Sequence, residues 1–501
     1  MKWRVAFREW APDLPPLVNP GLVKATNVLP TAGGYLPLPG LVSTGHAALD
    51  SRPRGGISGL DTSANAYHIA GTSTKLYKYT ISTVTDVSRS VGGAYNATGT
   101  AQWHFEQHEN SVIAVNPNDD IQTINLASGL FSQLSASAPR ARYIGYIGPI
   151  LVVANLISDP IAGTQPNGYR SPALGNPASW PDPTNPSSGA IAAQSILSSI
   201  RGNGGRINAI VSGTEIGAFL QENAVARADY VGGDVILQVD TVKKAKGLLA
   251  PRAFAAFERS FIYLAEDGWQ LCDFTSARAI GDQRINRTFL ADYDSQYSDR
   301  VSSVLHPDLP IVVIAYPGAG NTGGRPNKLL MYNYAIDRWA SVDMALEILS
   351  RVLPFTTTLD DLTGNLDTGY PTSFDELVAG FGAAILGAYG PANSLATFTG
   401  ASLAATLETG DQEHIPGGNA LVTKVRPLVD GTEPTVQVSA RRDRRTAESA
   451  ISFGTAGALN EDGECPVDGE GRYHRYRVNV PAGWSEQAVG LDAIGFPAGN
   501  R

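Results

Sequence analysis

Five stretches of this chain repeat one pattern: an apolar strand, a polar turn, then a second strand of alternating large residues. They are AYHIAGTSTKLYKYTISTVTDVS from Ala66, NSVIAVNPNDDIQTINLASGLFSQL from Asn110, EIGAFLQENAVARADYVGGDVILQVDTV from Glu215, RSFIYLAEDGWQLCDF from Arg259, and LPIVVIAYPG with NKLLMYNYAIDRWASVD from Leu309. Equivalent points (Leu76, Ile121, Ile216, Trp269, Leu330) fall about 45 to 60 residues apart, apart from one gap that leaves room for another unit around Ile150 to Trp180. Apolar and polar positions alternate at period two, and the turns carry Gly-Thr, Asn-Pro, Asp-Gly or Gly-Gly, so each unit reads as a small antiparallel sheet. Four strands cannot bury both faces alone; stacking them radially and closing the circle does so and leaves only short edges. The expected fold is all-β, a β-propeller of about six blades between Ala47 and Ser350, with a seventh near Gly380 to Thr399. FDELVAGFGAAILGAY from Phe374 is the best helix candidate, weakened by its glycines.

The ends of the chain differ from this middle. APDLPPLVNPGLVKATNVLPTAGGYLPLPGL, from Ala11, is too rich in proline for a helix or a central strand, yet it is apolar. Residues 1–45 therefore read as an extended arm laid over another surface, with Leu14, Leu17, Val18, Leu22, Leu36 and Leu38 as its candidate partner contacts. The first ten residues carry Lys2, Arg4, Arg8 and Glu9 and do not read as a secretion leader. Residues 46–400 form the propeller, interrupted around 156–199 by a Pro/Gly/Ser-rich stretch read as a long inserted loop. From Ala420, the period-two runs ALVTKVRPLVDG, TVQVSARRD and RYHRYRVNV predict a small β-sandwich within residues 401–501.

Charge narrows the partners. The net charge of −9 argues against a general nucleic-acid coat, which needs concentrated Lys and Arg. The basic run RRDRR places Arg441, Arg442, Arg444 and Arg445 together, a candidate contact for phosphate or an acidic partner, against the plainer reading of a solvated hairpin end. Cys272 and Cys465, far apart in sequence, read as reduced thiols, and no apolar run reaches the roughly 20 residues of a spanning helix.

No cofactor is expected, and no catalytic constellation stands out. WHFEQHEN spaces His104 and His108 four apart around Glu106, but the surrounding text is strand, where such a pair lies about 13 Å apart. NPNDD (Asn116 to Asp120) reads as turn chemistry rather than a calcium loop. RGNGGR (Arg201 to Arg206) lacks the lysine and threonine of a phosphate loop.

Four passages resemble the packaged-DNA stabilisation proteins, or tail hub and nozzle proteins, of short-tailed double-stranded DNA bacteriophages. They are PDLPPLVNPGLVKATNVLP to YLPLPGL, YRSPALGNPASW (Tyr169 to Trp180), KGLLAPRAFAAFERSFIYLAEDGWQLCDF running into IGDQRINRTFLADYD, and the closing GRYHRYRVNVPAGWSEQAVGLDAIGFPAG. The resemblance implies a non-enzymatic virion protein, assembled in the host bacterial cytoplasm into a hexameric ring below the portal and adaptor. Such a ring extends the tail channel, helps retain packaged DNA, lets that DNA pass without sequence-specific binding, and offers surfaces to fibres or spikes. A bore of this kind should be neutral to acidic, with Asn460 to Glu464 as candidate lining. The competing class is a propeller that binds or degrades polysaccharide, which would need two carboxylates converging from a set such as Asp267, Asp273, Asp282, Asp292 and Asp294.

Overall fold

The computed structural model describes residues 1–244, 246–355, 383–445 and 447–499. Six antiparallel sheets of four strands succeed one another at residues 56–86, 104–133, 140–199, 207–244, 254–279 and 302–343. A seventh is built from Ile348–Val352, Ile385–Tyr389 and Leu395–Ser402, three strands of its own. In each unit the first strand lies innermost, and that of unit seven meets that of unit one, Gly56–Leu60, so the circle closes. The fold is a seven-bladed β-propeller. Of the candidate helix from Phe374, residues 374–382 lie outside the described residues; its last five residues form the strand Ile385–Tyr389.

The N-terminal segment is part of this body, contrary to its reading as an arm for another surface. It forms five strands: β1 (Lys2–Ala6), β2 (Leu22–Thr26), β3 (Val28–Thr31), β4 (Gly34–Pro37) and β5 (Pro39–Ser43). β5 supplies the missing fourth strand of blade seven, with Leu41 opposite Phe398 and Val42 opposite Thr397. β2 lies inside a sheet, between the blade-six strand Arg338–Asp343 and the strand Ala405–Thr409. The prolines permit this because they fall where no ladder donor is lost: Pro20 precedes β2, Pro30 sits on the edge strand β3, Pro37 ends β4 and Pro39 begins β5. Leu22, Ala25, Val28, Leu29, Tyr35 and Leu38 are buried in the chain's own core, which removes Leu22 and Leu38 from the set of partner contacts.

Beyond β2, the sheet of blade six runs on through Ala405–Thr409 and Tyr473–Val480 to Thr435–Arg441. A second sheet orders β3, β4, Ala488–Gly499, Asn419–Val429 and Cys465–Gly471, with β1 on the flank of Ala488–Gly499. One hydrophobic core spans these sheets and blades five and six, joining Val422, Val436 and Tyr476 to Trp269 and Trp339. Residues 156–199 are also more regular than their composition suggests, since Gly163–Arg170 and Leu197–Ser199 are the outer strands of blade three. Buried Arg170 anchors them, donating to Asp159 at 2.8 Å and to the carbonyl of Trp180.

Closure between blades seven and one uses polar as well as apolar contacts. The Ser58 hydroxyl donates to the Arg351 carbonyl at 3.0 Å, and His68 bridges Ser58 and the Tyr389 hydroxyl at 2.7 and 2.9 Å. Burial lowers the His68 imidazole to about 3, so it stands neutral in this seam.

Candidate functional site

The inner strands of all seven blades line a central channel of about 660 Å³. Its wall is mixed: Ile57, Phe105, Ile144 and Ile210 alternate with Ser58, Ser302, Ser303 and Ser350. Two ionisable groups stand out in this lumen. Glu106, from the blade-two strand His104–His108, accepts a hydrogen bond from the Ser212 hydroxyl of blade four at 3.2 Å. Ser212 in turn accepts from the Tyr146 amide at 3.0 Å. Burial lifts the Glu106 carboxyl to about 7, against the pull of that hydroxyl. Arg252, two residues ahead of the first strand of blade five, donates to the carbonyl of Trp103 and, at 3.1 Å, to that of Arg54, tying blade five to blades one and two. Burial lowers its guanidinium to about 10.

His104 opens onto both the lumen and a smaller cavity of about 270 Å³ at one mouth of the channel. This mouth is lined by Arg142, Arg206, Asn155, Asn208, Tyr143 and Asp299, among others. The Tyr143 phenol, pushed up to about 12 by burial, feels the opposing pull of Arg142, Arg206 and Arg252. The His104 imidazole packs edge-on to Tyr143 with centroids 4.9 Å apart, and burial holds it well below its ordinary range.

The raised Glu106 carboxyl has a consequence for stability. A carboxyl whose folded value lies above the ordinary 4.5 contributes stability below that value and loses it as pH rises through about 7. Glu106→Gln removes the charging step, so its melting temperature should gain on the parent protein between pH 5 and pH 8. A gap that stays constant over that range would show that Glu106 is not the titrating group.

The basic run does not act as a unit. Arg441 is largely buried and pairs with Asp411 at 2.6 Å, a structural role that takes it out of the free cluster. Arg442 pairs with Glu470 and Arg445 with Asp443, while Arg444 is exposed with no ion pair among the described residues. Of the arm residues, Leu14 and Leu36 are half-buried, and Leu17 and Val18 are 39% and 64% exposed. None of these ten residues lines the channel or its mouth. Of the acidic run Asn460 to Glu464, Glu464 pairs with both Lys424 and Arg426, and none of the run lines the channel or its mouth.

WHFEQHEN is strand in its central five residues, with His108 on the Tyr146 hydroxyl at 2.7 Å. NPNDD is a turn in which the Asn116 side chain accepts from the amides of Asn118 and Asp119. The five aspartates proposed for hydrolysis do not line either cavity. Asp267 pairs with Lys246, Asp273 accepts from the amides of its own turn, and Asp292 and Asp294 brace the loop at 318–321. Both cysteines are buried and unpaired.

No protein-family model and no curated protein matches the chain. Among solved structures it is similar to BamB from Moraxella catarrhalis, at 11% identity and TM-score 0.38 over 79% of this chain and 97% of that one. It is also similar to the Pan2 WD40 domain of Neurospora crassa, at 8% identity and TM-score 0.38 over 63% and 90%. A computationally designed protein, Ika8, matches at 9% identity and TM-score 0.35 over 71% and 99%. Likeness at this level carries no functional argument, and the propeller assignment rests on the strand order itself.

Proposed function

We propose that this protein is a structural virion subunit, a tail hub or nozzle propeller of the short-tailed phage type. In this reading it forms a ring, expected to be six-fold, that continues the DNA channel below portal and adaptor. The supporting observation is an apolar surface at the rim of blades three and four. Leu174, Ile191, Val231 and Val235 are between 43% and 57% exposed. Hydrogen bonds hold their loops together: the Leu174 amide to the Ala193 carbonyl at 2.8 Å, and the Gln194 side chain to the Gly233 carbonyl at 3.3 Å. Monomers rarely expose apolar side chains grouped in this way.

The complementary element is the turn carrying Leu17 and Val18, set on a different part of the molecule. It is fixed there by Asp13, whose carboxylate accepts from the amides of Arg287 and Thr288 at the start of helix α1 (Asn286–Asp292). A contact between two different patches is heterologous, and it closes into a ring when its rotation divides a full turn. Electron microscopy of the purified chain should show closed rings, and Val231→Glu with Val235→Glu should leave monomers of unchanged melting temperature. A wild-type chain that stays monomeric at every concentration, with and without portal and adaptor rings, would overturn the proposal.

A further inference from the structure

The propeller's repeat concentrates arginine at one rim of its channel. Every blade begins with its innermost strand, so the starts of these strands all face the same mouth. Arginine recurs at or just before that start: Arg54 before Gly56–Leu60, Arg142 within Arg140–Ile147, Arg206 before Ile207–Val211, Arg252 before Phe254–Phe257 and Arg300 before Ser302–Leu305. Five of the seven blades contribute one, in a chain whose net charge is −9.

These charges are poorly matched from within. Arg300 has Glu347, and Arg206 reaches Glu222 only at 3.8 Å on an exposed flank. Arg54, Arg142 and Arg252 form no ion pair among the described residues; Arg54 donates to the carbonyls of Gly99 and Ala101. Asp299, the one carboxylate lining the mouth cavity, lies 3.8 Å from Arg52. Crowding several cations around a single carboxylate in a partly desolvated cavity costs free energy, which an oxyanion seated among them would offset.

The rest of the cavity is hydrogen-bonding rather than greasy. Asn155, held at φ +57°, and Asn208 are both buried. Each donates its side-chain amide outward, to the carbonyls of Ile207 at 2.7 Å and Leu248 at 3.0 Å, which leaves the amide oxygen as its unused acceptor. Thr100, Gln102 and Ser298 add further polar groups. Arginine forks suit a phosphate or carboxylate, and free carbonyl acceptors suit hydroxyl donors. At about 270 Å³ the cavity falls below the usual drug-sized range of roughly 300 to 1,000 Å³ and holds one sugar-sized ligand, not a duplex.

We propose that the channel mouth is a binding site for a small anionic polyol, a sugar bearing a phosphate or carboxylate, gripped by Arg142 and Arg206 with its hydroxyls on Asn155 and Asn208. The site belongs to the single chain and does not depend on ring assembly. Calorimetric titration of the full chain with glucose 6-phosphate, glucuronate, inorganic phosphate and glucose, at matched ionic strength, tests it. Saturable binding of glucose 6-phosphate or glucuronate is expected, with none for glucose. Arg142→Gln with Arg206→Gln should weaken binding by about tenfold or more. Both side chains are partly exposed and Arg142 has no ion pair, so the variant's unliganded melting temperature should hold, which separates a lost site from a lost fold. Arg142→Lys, which keeps the charge but not the fork, should weaken it too. No saturation by either sugar acid at about 10 mM, or unchanged affinity in the double variant, would overturn the site. Equal affinity for inorganic phosphate and glucose 6-phosphate would overturn the role given to the asparagines.

Discussion

Removing residues 1–45 is expected to abolish the folded state. The deletion takes away all five N-terminal strands, including the fourth strand of blade seven and the joint between blade six and the C-terminal sheets. Leu22, Val28, Leu29, Tyr35 and Leu38 are buried, and each fully buried large apolar side chain is worth about 1.5 to 3 kcal/mol. Their sum alone is of the order of a whole domain's stability, about 5 to 15 kcal/mol. The truncated chain should be recovered insoluble, or without a cooperative transition by circular dichroism. A soluble product melting within a few degrees of the parent would show that these strands are ornamental. The sequence taken by itself suggests the reverse, a detachable arm, because its prolines look incompatible with a sheet until their edge and end positions are seen.

Asp159→Ala is expected to destabilise blade three by about 3 to 5 kcal/mol, the cost of leaving a buried charge without its partner. Arg170 and Asp159 are 1% and 0% exposed, and Asp159 also accepts the amides of Ile161 and Ala162. Arg170 lies against the Trp180 ring as well, so the loop that follows Gly163–Arg170 hangs on this pair. Chemical denaturation measures the loss. Replacing both residues, as Asp159→Leu with Arg170→Met, should recover much of it, because well-packed apolar groups often match a buried ion pair. A single variant as stable as the parent would mean that water reaches Arg170.

The blades were legible because their central strands are short, continuous runs of buried apolar residues bounded by turn residues, as in Ser260–Ala265 and Lys328–Asn333. What escaped were relations across the circle. The seventh blade is legible near Gly380 to Thr399, but its fourth strand is not, because that strand stands at the opposite end of the chain. Arg475, in a run that alternates like a strand with one wet face, is instead buried between sheets and paired with Asp411, Glu408 and Glu448. The arginines of the channel mouth are scattered from Arg54 to Arg300, and only closure makes them neighbours. Arg206 does stand in RGNGGR, a run that invites comparison with a phosphate loop; its basic end, not its glycines, is what reaches the mouth.

The borrowed strand of blade seven also imposes a timetable. The Thr44 hydroxyl, just past β5, bonds the Leu395 carbonyl across 351 positions of sequence. A ribosome adding about 5 to 20 residues per second needs roughly 20 to 70 s to cover that distance. Throughout that interval β5 is made but its partner does not yet exist. Blades one to six can form in order of emergence, while the circle stays open and its terminal edges stay unsatisfied. Nascent chains on neighbouring ribosomes of one message would then expose the same two edges to each other, and the waiting strand of one could complete the last blade of another. Translation speed and message crowding thus become determinants of whether this protein closes on itself or is born entangled.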